Sequence, residues 1–148
     1  MANDVSYFKI PGDSTVYAFN DPDVVTVVPT ISNNTGDTVS AETGAITNLM
    51  SVSLTPGKYL LIGTATFQAN STGSRSLGFA KSASSATEDR FSQATVAAGS
   101  GFAPRVQVVT VWGITTTTTV YLNAVQTSGA TLSVSAPGIQ AIRLQDLS

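Results

Sequence analysis

Short runs of β-branched and aromatic residues, separated by turn residues, fill the C-terminal part of the chain. Four such runs follow one another, over residues 106–114, 119–126, 131–135 and 139–145. Runs of this length, bounded by Gly, Pro, Ser or polar residues, are typical of β-strands. No helical pattern separates them. The spacing therefore predicts an antiparallel sandwich or barrel, because an α/β protein would place helices between its strands.

The longest strand is predicted over residues 59–69. Alternate positions give it one face that is apolar throughout, made of Tyr59, Leu61, Gly63, Ala65, Phe67 and Ala69. The opposite face starts with Leu60 and Ile62 and continues with Thr and Gln. Because the second face is apolar only at its start, we expect that part to lie under a loop or against another subunit.

Further strands are predicted over 24–31, 46–54 and 75–81, and Pro29 marks the first of them as an edge strand or a bulge. The polar stretch 32–44 is predicted to be a loop. Residues 82–104 have the least regular pattern and are predicted to be a long crossing loop with a short strand near 91–96. The five threonines at 115–119 predict a hairpin turn that enters a strand. A total of eight to ten strands favours an antiparallel two-sheet jelly-roll sandwich over residues 24–148.

Residues 1–23 form a separate unit in this interpretation. Two short apolar runs flank the turn at Pro11, which predicts a β-hairpin arm. The arm holds four of the ten Tyr and Phe residues of the chain, namely Tyr7, Phe8, Tyr17 and Phe19. An isolated hairpin is marginally stable in water, so this aromatic surface needs a cover. Two covers are open: the arm's own domain, or a neighbouring subunit or larger assembly.

Composition narrows the classes of partner. Charged residues make up 11% of the chain, against about 25% in typical globular domains, while Ser and Thr number 39. The net charge of −2 and the scattered basic residues argue against nucleic-acid binding. No apolar run is long enough to predict a membrane span, and the N-terminus lacks the pattern of a secretory signal. We therefore expect synthesis in a cytoplasm.

The sequence offers little catalytic chemistry. It contains no His and no Cys, which excludes the common nucleophile–base pairs and the usual zinc ligands within one chain. The nine carboxylates fall mostly in predicted loops or termini, where a raised pKa is not expected. The glycines near Gly99 lack the Lys of a phosphate-binding loop. Asp13 and residues 20–23 could supply oxygen ligands for calcium, but solvated turns explain them better. No enzymatic activity, cofactor or metal is expected.

Two segments resemble known families. The strand entry Pro56-Gly-Lys-Tyr with the following Phe67, and the closing strand Ile139-x-Ala-Ile-Arg-Leu, resemble the C1q/TNF-like jelly roll over residues 45–148. The first 23 residues, with Gly12 and then Val16-Tyr-Ala-Phe-Asn-Asp, are similar to the N-terminal hairpin of many bacteriophage virion proteins. The resemblance implies a homotrimer whose three-fold axis is lined by strand side chains. It gives no support to an extracellular animal role, because collagen repeats are missing.

These observations predict a non-enzymatic phage virion protein: a trimeric capsid decoration or cement subunit, held on the shell by its N-terminal arm. Its partners would be the major capsid protein or another virion protein, with no nucleic acid and no membrane. The alternative is a receptor-binding tip of a tail or head fibre, in which residues 82–104 bind a host glycan. Five residues are predicted to lie in the core or along the three-fold axis: Tyr59, Phe67, Trp112, Tyr121 and Ile142.

Overall fold

Strands account for all the regular structure in the described part of the chain. The computed structural model describes residues 37–84, 90–99 and 101–145, and in addition the backbone of 7–9, 16–18 and 29–30. In chain order the strands are β1 Tyr7–Lys9, β2 Val16–Ala18, β3 Pro29–Thr30, β4 Val39–Ala41, β5 Thr47–Leu54, β6 Gly57–Phe67, β7 Asn70–Ala80, β8 Arg90–Gly99, β9 Arg105–Ile114, β10 Thr118–Gln126 and β11 Leu132–Gln145. Within these ranges no helix is long and apolar enough to cross a membrane.

Strands β4 to β11 form two four-stranded antiparallel sheets. One has the order β4-β11-β6-β9, and β3 pairs with β11 on the same edge as β4; the other has the order β5-β10-β7-β8. The first of the eight strands therefore pairs with the last, and the second pairs with the seventh. This wrapping of a folded ribbon into two facing sheets is a jelly roll. The all-β, two-sheet sandwich expected from the sequence is confirmed.

Burial along β6 follows the alternation of its residues. Tyr59, Leu61, Ala65 and Phe67 are buried, whereas the residues between them are partly or fully exposed. In β5 the alternation is broken at Leu49 and Met50, which are both buried. The register with β10 shifts at this point, so that Leu122 pairs with Met50 and Asn123 with Asn48. A bulge that adds one residue to β5 thus turns both apolar side chains inward.

The core lies between the two sheets, which approach each other closely at Gly63. A Cβ atom on Gly63 would lie 2.6 Å from Leu122 Cδ1 and 2.9 Å from Phe79 Cζ, both in the opposite sheet. The glycine therefore gives these two large side chains the space they occupy. Its role here is close approach of the two sheets rather than a turn.

The prediction for residues 82–104, a long loop with a short strand near 91–96, is partly right, because the strand forms but is longer than expected. Residues 90–99 form β8, a ten-residue strand that pairs with β7. Its inward positions carry Ser92, Ala94 and Val96, and its outward positions carry Gln93 and Thr95. The inward side chains are small and only partly apolar, so the weak alternation in hydrophobicity indicates a shorter strand than the one that forms.

Two other boundaries also differ from expectation. Residues 131–135 and 139–145 were expected as separate strands but belong to one, β11, which at 14 residues is longer than β6. The break seen in the sequence is a bulge: the register with β6 shifts between Ser135 and Gly138, and Ala136 has a positive φ of 47°. The predicted loop 32–44 contains β4, which is only three residues long.

The backbone of β1 pairs antiparallel with that of β2, with Tyr7 opposite Ala18. The side chains of the predicted arm residues Tyr7, Phe8 and Tyr17, and the whole of Phe19, lie outside the described residues. The division into an arm at 1–23 and a body at 24–148 stays a prediction.

Candidate assembly surface

The outer face of the β4-β11-β6-β9 sheet carries a cluster of apolar side chains that point away from the core. We call the apolar strip the set Leu60, Ile62, Val109, Val111 and Ile142. Each member occupies the strand face opposite to that of the buried core residues beside it in sequence. The strip contains the start of the second face of β6, which the sequence indicated would be covered.

The strand registers bring the members of the strip together. Leu60 pairs with Val111 on one side and with Ile142 on the other, and Ile62 pairs with Val109. Directly opposed residues on one face have Cβ atoms about 4.5–5.5 Å apart, so the strip is continuous across three strands. Val109 and Val111 are each 52% exposed and stand on β9, at the edge of the sheet. A contiguous apolar patch of this kind marks an interaction surface.

The other half of the same face is polar. Beyond Ile62 and Val109 the next pairs are Thr64 with Gln107 and Thr66 with Arg105. Gln107 and Arg105 are exposed. The sheet therefore has an outer face whose apolar half lies towards the start of β6 and the end of β9, and whose hydrophilic half lies towards the opposite end.

The outer face of the β5-β10-β7-β8 sheet has a different chemistry. Hydroxyl and amide groups bond to one another on this face: Ser76 Oγ lies 2.9 Å from Thr95 Oγ1 of the neighbouring strand, and Gln93 Nε2 donates to Thr95 Oγ1 within β8 at 2.9 Å. At the other side, Asn123 Nδ2 donates to the carbonyl of Ser82, and Asn48 Nδ2 donates to Asn123 Oδ1. The two outer faces of the sandwich thus differ: one carries the apolar strip and the other a hydrogen-bonded polar network.

Cations lie over aromatic rings at one end of the core. The Arg143 guanidinium is 6.0 Å from the centre of the Tyr59 ring, and Lys81 Nζ is 5.5 Å from the centre of the Trp112 ring. Tyr59 pairs with both Arg143 and Trp112 in the sheet, so the four groups form a row. Arg143 also donates through Nη2 to the carbonyl of Pro56 at 2.5 Å. The row closes the end of the sandwich with cation–π contacts.

At the end of the core where β7 begins, polar side chains are buried. Arg75 is 0% exposed, and its guanidinium donates to the carbonyls of Asn70, Thr72 and Ser74 at 3.0–3.3 Å. Burial lowers the pKa of Arg75 below its ordinary value. Its strand partner Gln126 is also buried and donates to the carbonyls of Ala41 and Ala130. These bonds hold the connecting segments closed over the core.

The five residues predicted to lie in the core or on a three-fold axis are found in different places. Tyr59 and Phe67 are buried in the core, at 3% and 0% exposure, and the Tyr59 hydroxyl donates to the carbonyl of Thr55. Trp112 is partly buried and packs against the core. Tyr121 is partly buried on the outer face of the polar sheet, and Ile142 belongs to the apolar strip.

Sequence reasoning missed two features of the structure. The valines at 109 and 111 were included in a strand but were not recognised as outward-facing. Their alternation with Val108 was the available signal, because it makes a strand apolar on both faces. The burial of Arg75 had no signal, since its partners are backbone carbonyls.

Within the ranges described above, His, Cys, Asp and Glu form no group of three or more that could hold a metal ion. Asp13 and residues 20–23, considered for calcium, lie outside those ranges. No catalytic arrangement was expected from the sequence.

Solved structures with a similar fold come from a virus. One is the VP2 subviral particle of infectious bursal disease virus, with a TM-score of 0.50 and 14% identity, covering 96% of this chain and 38% of that one. Another is the Gt strain of the same virus, with a TM-score of 0.51 and 17% identity, covering 92% of this chain and 36% of that one. The chain thus spans well under half of those chains, and at such identities the likeness shows the fold. No family model and no curated protein sequence matches the chain.

Proposed function

We propose that this chain is a structural protein of a virion: a homotrimeric subunit that decorates or cements the capsid of a bacteriophage. The arm at 1–23 anchors it to the shell, and the jelly-roll body lies on the outside. It is made in the cytoplasm of the host and works in the virion, with the major capsid protein or another virion protein as its partner.

The observation that carries this proposal is the apolar strip on the outer face of a jelly roll. A sandwich that exposes apolar side chains on one sheet face is suited to assembly with other protein surfaces. The likeness to proteins of a viral particle supports the same class of function. The resemblance of residues 45–148 to the C1q/TNF-like jelly roll, and of the arm to phage virion hairpins, supports the finer statement of a phage trimer.

The test is binding to undecorated capsids. Purified full-length protein and protein lacking residues 1–23 are incubated with capsids, and bound protein is measured after sedimentation. We expect saturable, stoichiometric binding by the full-length protein and loss of binding when the arm is removed. A matched control, in which Asp4 and Asp13 are changed to Asn, keeps the aromatic residues of the arm and should bind. If no form binds, the decoration role is refuted.

A receptor-binding role is the second candidate, and the polar sheet favours it. Its outer face presents hydroxyl and amide groups together with the partly buried ring of Tyr121, a combination that suits a sugar. Glycan-array binding by the isolated protein, lost in Tyr121→Ala, would favour this function. Absence of glycan binding together with capsid binding would leave the decoration role alone.

A further inference from the structure

Three exposed charged residues stand at the two edges of the β4-β11-β6-β9 sheet, while Lys58 on β6 and Arg143 on β11 lie on its central strands. Arg105 is exposed at the start of β9, which is one edge. Asp37 and Glu42 are exposed just before and just after β4, which lies on the other edge. The apolar strip reaches the basic edge, because Val109 and Val111 belong to β9.

The opposite charges lie at the same level along the strands. Arg105 pairs with Thr66 on β6, and Thr66 pairs with Ser135 on β11. The neighbouring residue Val134 pairs with Val39 on β4, two residues after Asp37. A row drawn across the sheet at this level therefore has a cation at one end and a carboxylate at the other.

This arrangement distinguishes between two ways of joining copies. A contact between identical edges would place Arg105 beside Arg105, or Asp37 beside Asp37, and like charges are unfavourable. A head-to-tail contact places the basic edge of one copy beside the acidic edge of the next. Because the two charges share one level, a rotation about an axis parallel to the strands brings them together, and such a contact can close into a ring.

We infer that a second copy of this chain binds to the apolar strip. The two copies are joined head to tail, with the β9 edge of one copy packed against the β4 side of the neighbouring sheet. The apolar half of the face supplies the dry contact, and the pairing of Arg105 with the partner's acidic edge fixes the direction of the ring. This inference builds on the trimer proposed above, and it adds the face, the edges and the polarity of the contact.

The strip is tested by light scattering of the full-length protein at micromolar concentration. We expect a trimer for the natural sequence and at least a tenfold weaker association for Val111→Asp. Ser53→Asp is the matched control: it adds the same charge to an exposed strand position on the other sheet and should stay trimeric. Circular dichroism checks that each variant is folded. A monomeric natural protein, or a trimeric folded Val111→Asp, would overturn the inference.

The direction of the ring is tested by exchanging the charges. Arg105→Asp alone and Asp37→Arg alone should each weaken association about three- to tenfold, and more so at low salt. The double variant restores opposite charges at every contact and should recover the natural affinity. If the association free energy lost in the double variant equals the sum of the losses in the two single variants, the head-to-tail pairing is wrong.

These results can be separated from the capsid assay. A trimer held by the strip that fails to bind capsids refutes decoration and leaves the interface standing. A monomer that binds capsids through its arm refutes the interface and leaves the decoration role standing. Hydrogen exchange at Val109 and Val111 gives a further check if the natural protein is a monomer. If their exchange changes when residues 1–23 are removed, the arm covers the strip and the inference is overturned.

Discussion

Ala136 has the only positive φ of a non-glycine residue in the described ranges, at 47°. The left-handed region costs an L-residue roughly 1–2 kcal/mol, because its Cβ approaches the following carbonyl oxygen. In β11 this conformation allows the bulge between Ser135 and Gly138, which bends the strand so that it can pair with β4 at one end and β3 at the other. The strained conformation of one residue therefore allows a single long strand to pair with β3, β4 and β6.

We predict that Ala136→Gly raises the free energy of unfolding by up to about 1 kcal/mol, because glycine adopts this φ without strain. Ala141→Gly is the control in the same strand. Ala141 is buried in regular sheet, so the change should lower stability by about 1 kcal/mol or more. Urea unfolding of both variants measures the difference. Destabilisation by Ala136→Gly as large as that by Ala141→Gly would show that no strain is stored there.

Single residues also show where sequence reasoning stopped. The apolar face of β6 could be predicted because Tyr59, Leu61 and Phe67 alternate with smaller or polar residues. The burial of Arg75 could not be predicted, because its guanidinium donates to backbone carbonyls at the start of its own strand. Every residue type has a backbone carbonyl, so the sequence does not reveal these partners. Whether an apolar residue such as Ile142 faces the core or the outside depends on the register of its strand, which a bulge can change.

Among the elements, β8 is the one whose sequence pattern and structure differ most. It is the edge of its sheet and pairs only with β7 within the described ranges. Edge strands need less hydrophobicity than central ones, because one side of the backbone faces away from the sheet. The strands β6, β7, β9 and β10, with their large buried residues, could be predicted from alternation, whereas β8 was predicted too short and the three-residue β4 was not predicted.

Hydrogen exchange is predicted to show β8 as an edge strand. Amides of residues 90–99 that donate to β7 should exchange slowly, and alternate amides that point away should exchange rapidly, giving a period of two. The central strands β6 and β11 should be protected at almost every amide. The natural full-length protein is used, with exchange followed residue by residue in nuclear magnetic resonance spectra. Uniformly rapid exchange over 90–99 would show that these residues form no strand.

At the scale of the whole molecule, the described residues form one hydrophobic core between the two sheets. The buried residues of the core cluster all belong to segments from Ala41 to Ala141. A single cluster of this size, enclosed by two sheets, is sufficient for cooperative folding. The sequence predicts a division between arm and body at residue 23, from the breaker at residues 20–23.

We predict that removing residues 1–23 leaves the stability of the protein unchanged within about 0.5 kcal/mol, since changes that leave the core intact have small effects. The full-length and shortened proteins are compared by chemical unfolding under conditions where both have the same oligomeric state. Phe67→Ala in the shortened protein is the positive control and should cost about 3–5 kcal/mol. A large loss of stability on removing the arm would mean that the arm covers part of the body.

The place of β11 in the sheet has a consequence for synthesis. It lies between β4 and β6, yet it follows every other described strand along the chain, and Val134 pairs with Phe67. While a ribosome is still making β7 to β10, the sheet that bears the apolar strip lacks a central strand and cannot close. Contacts across such separations also fold slowly. The apolar strip, which includes Ile142 of β11, is therefore complete only after β11 has left the ribosome.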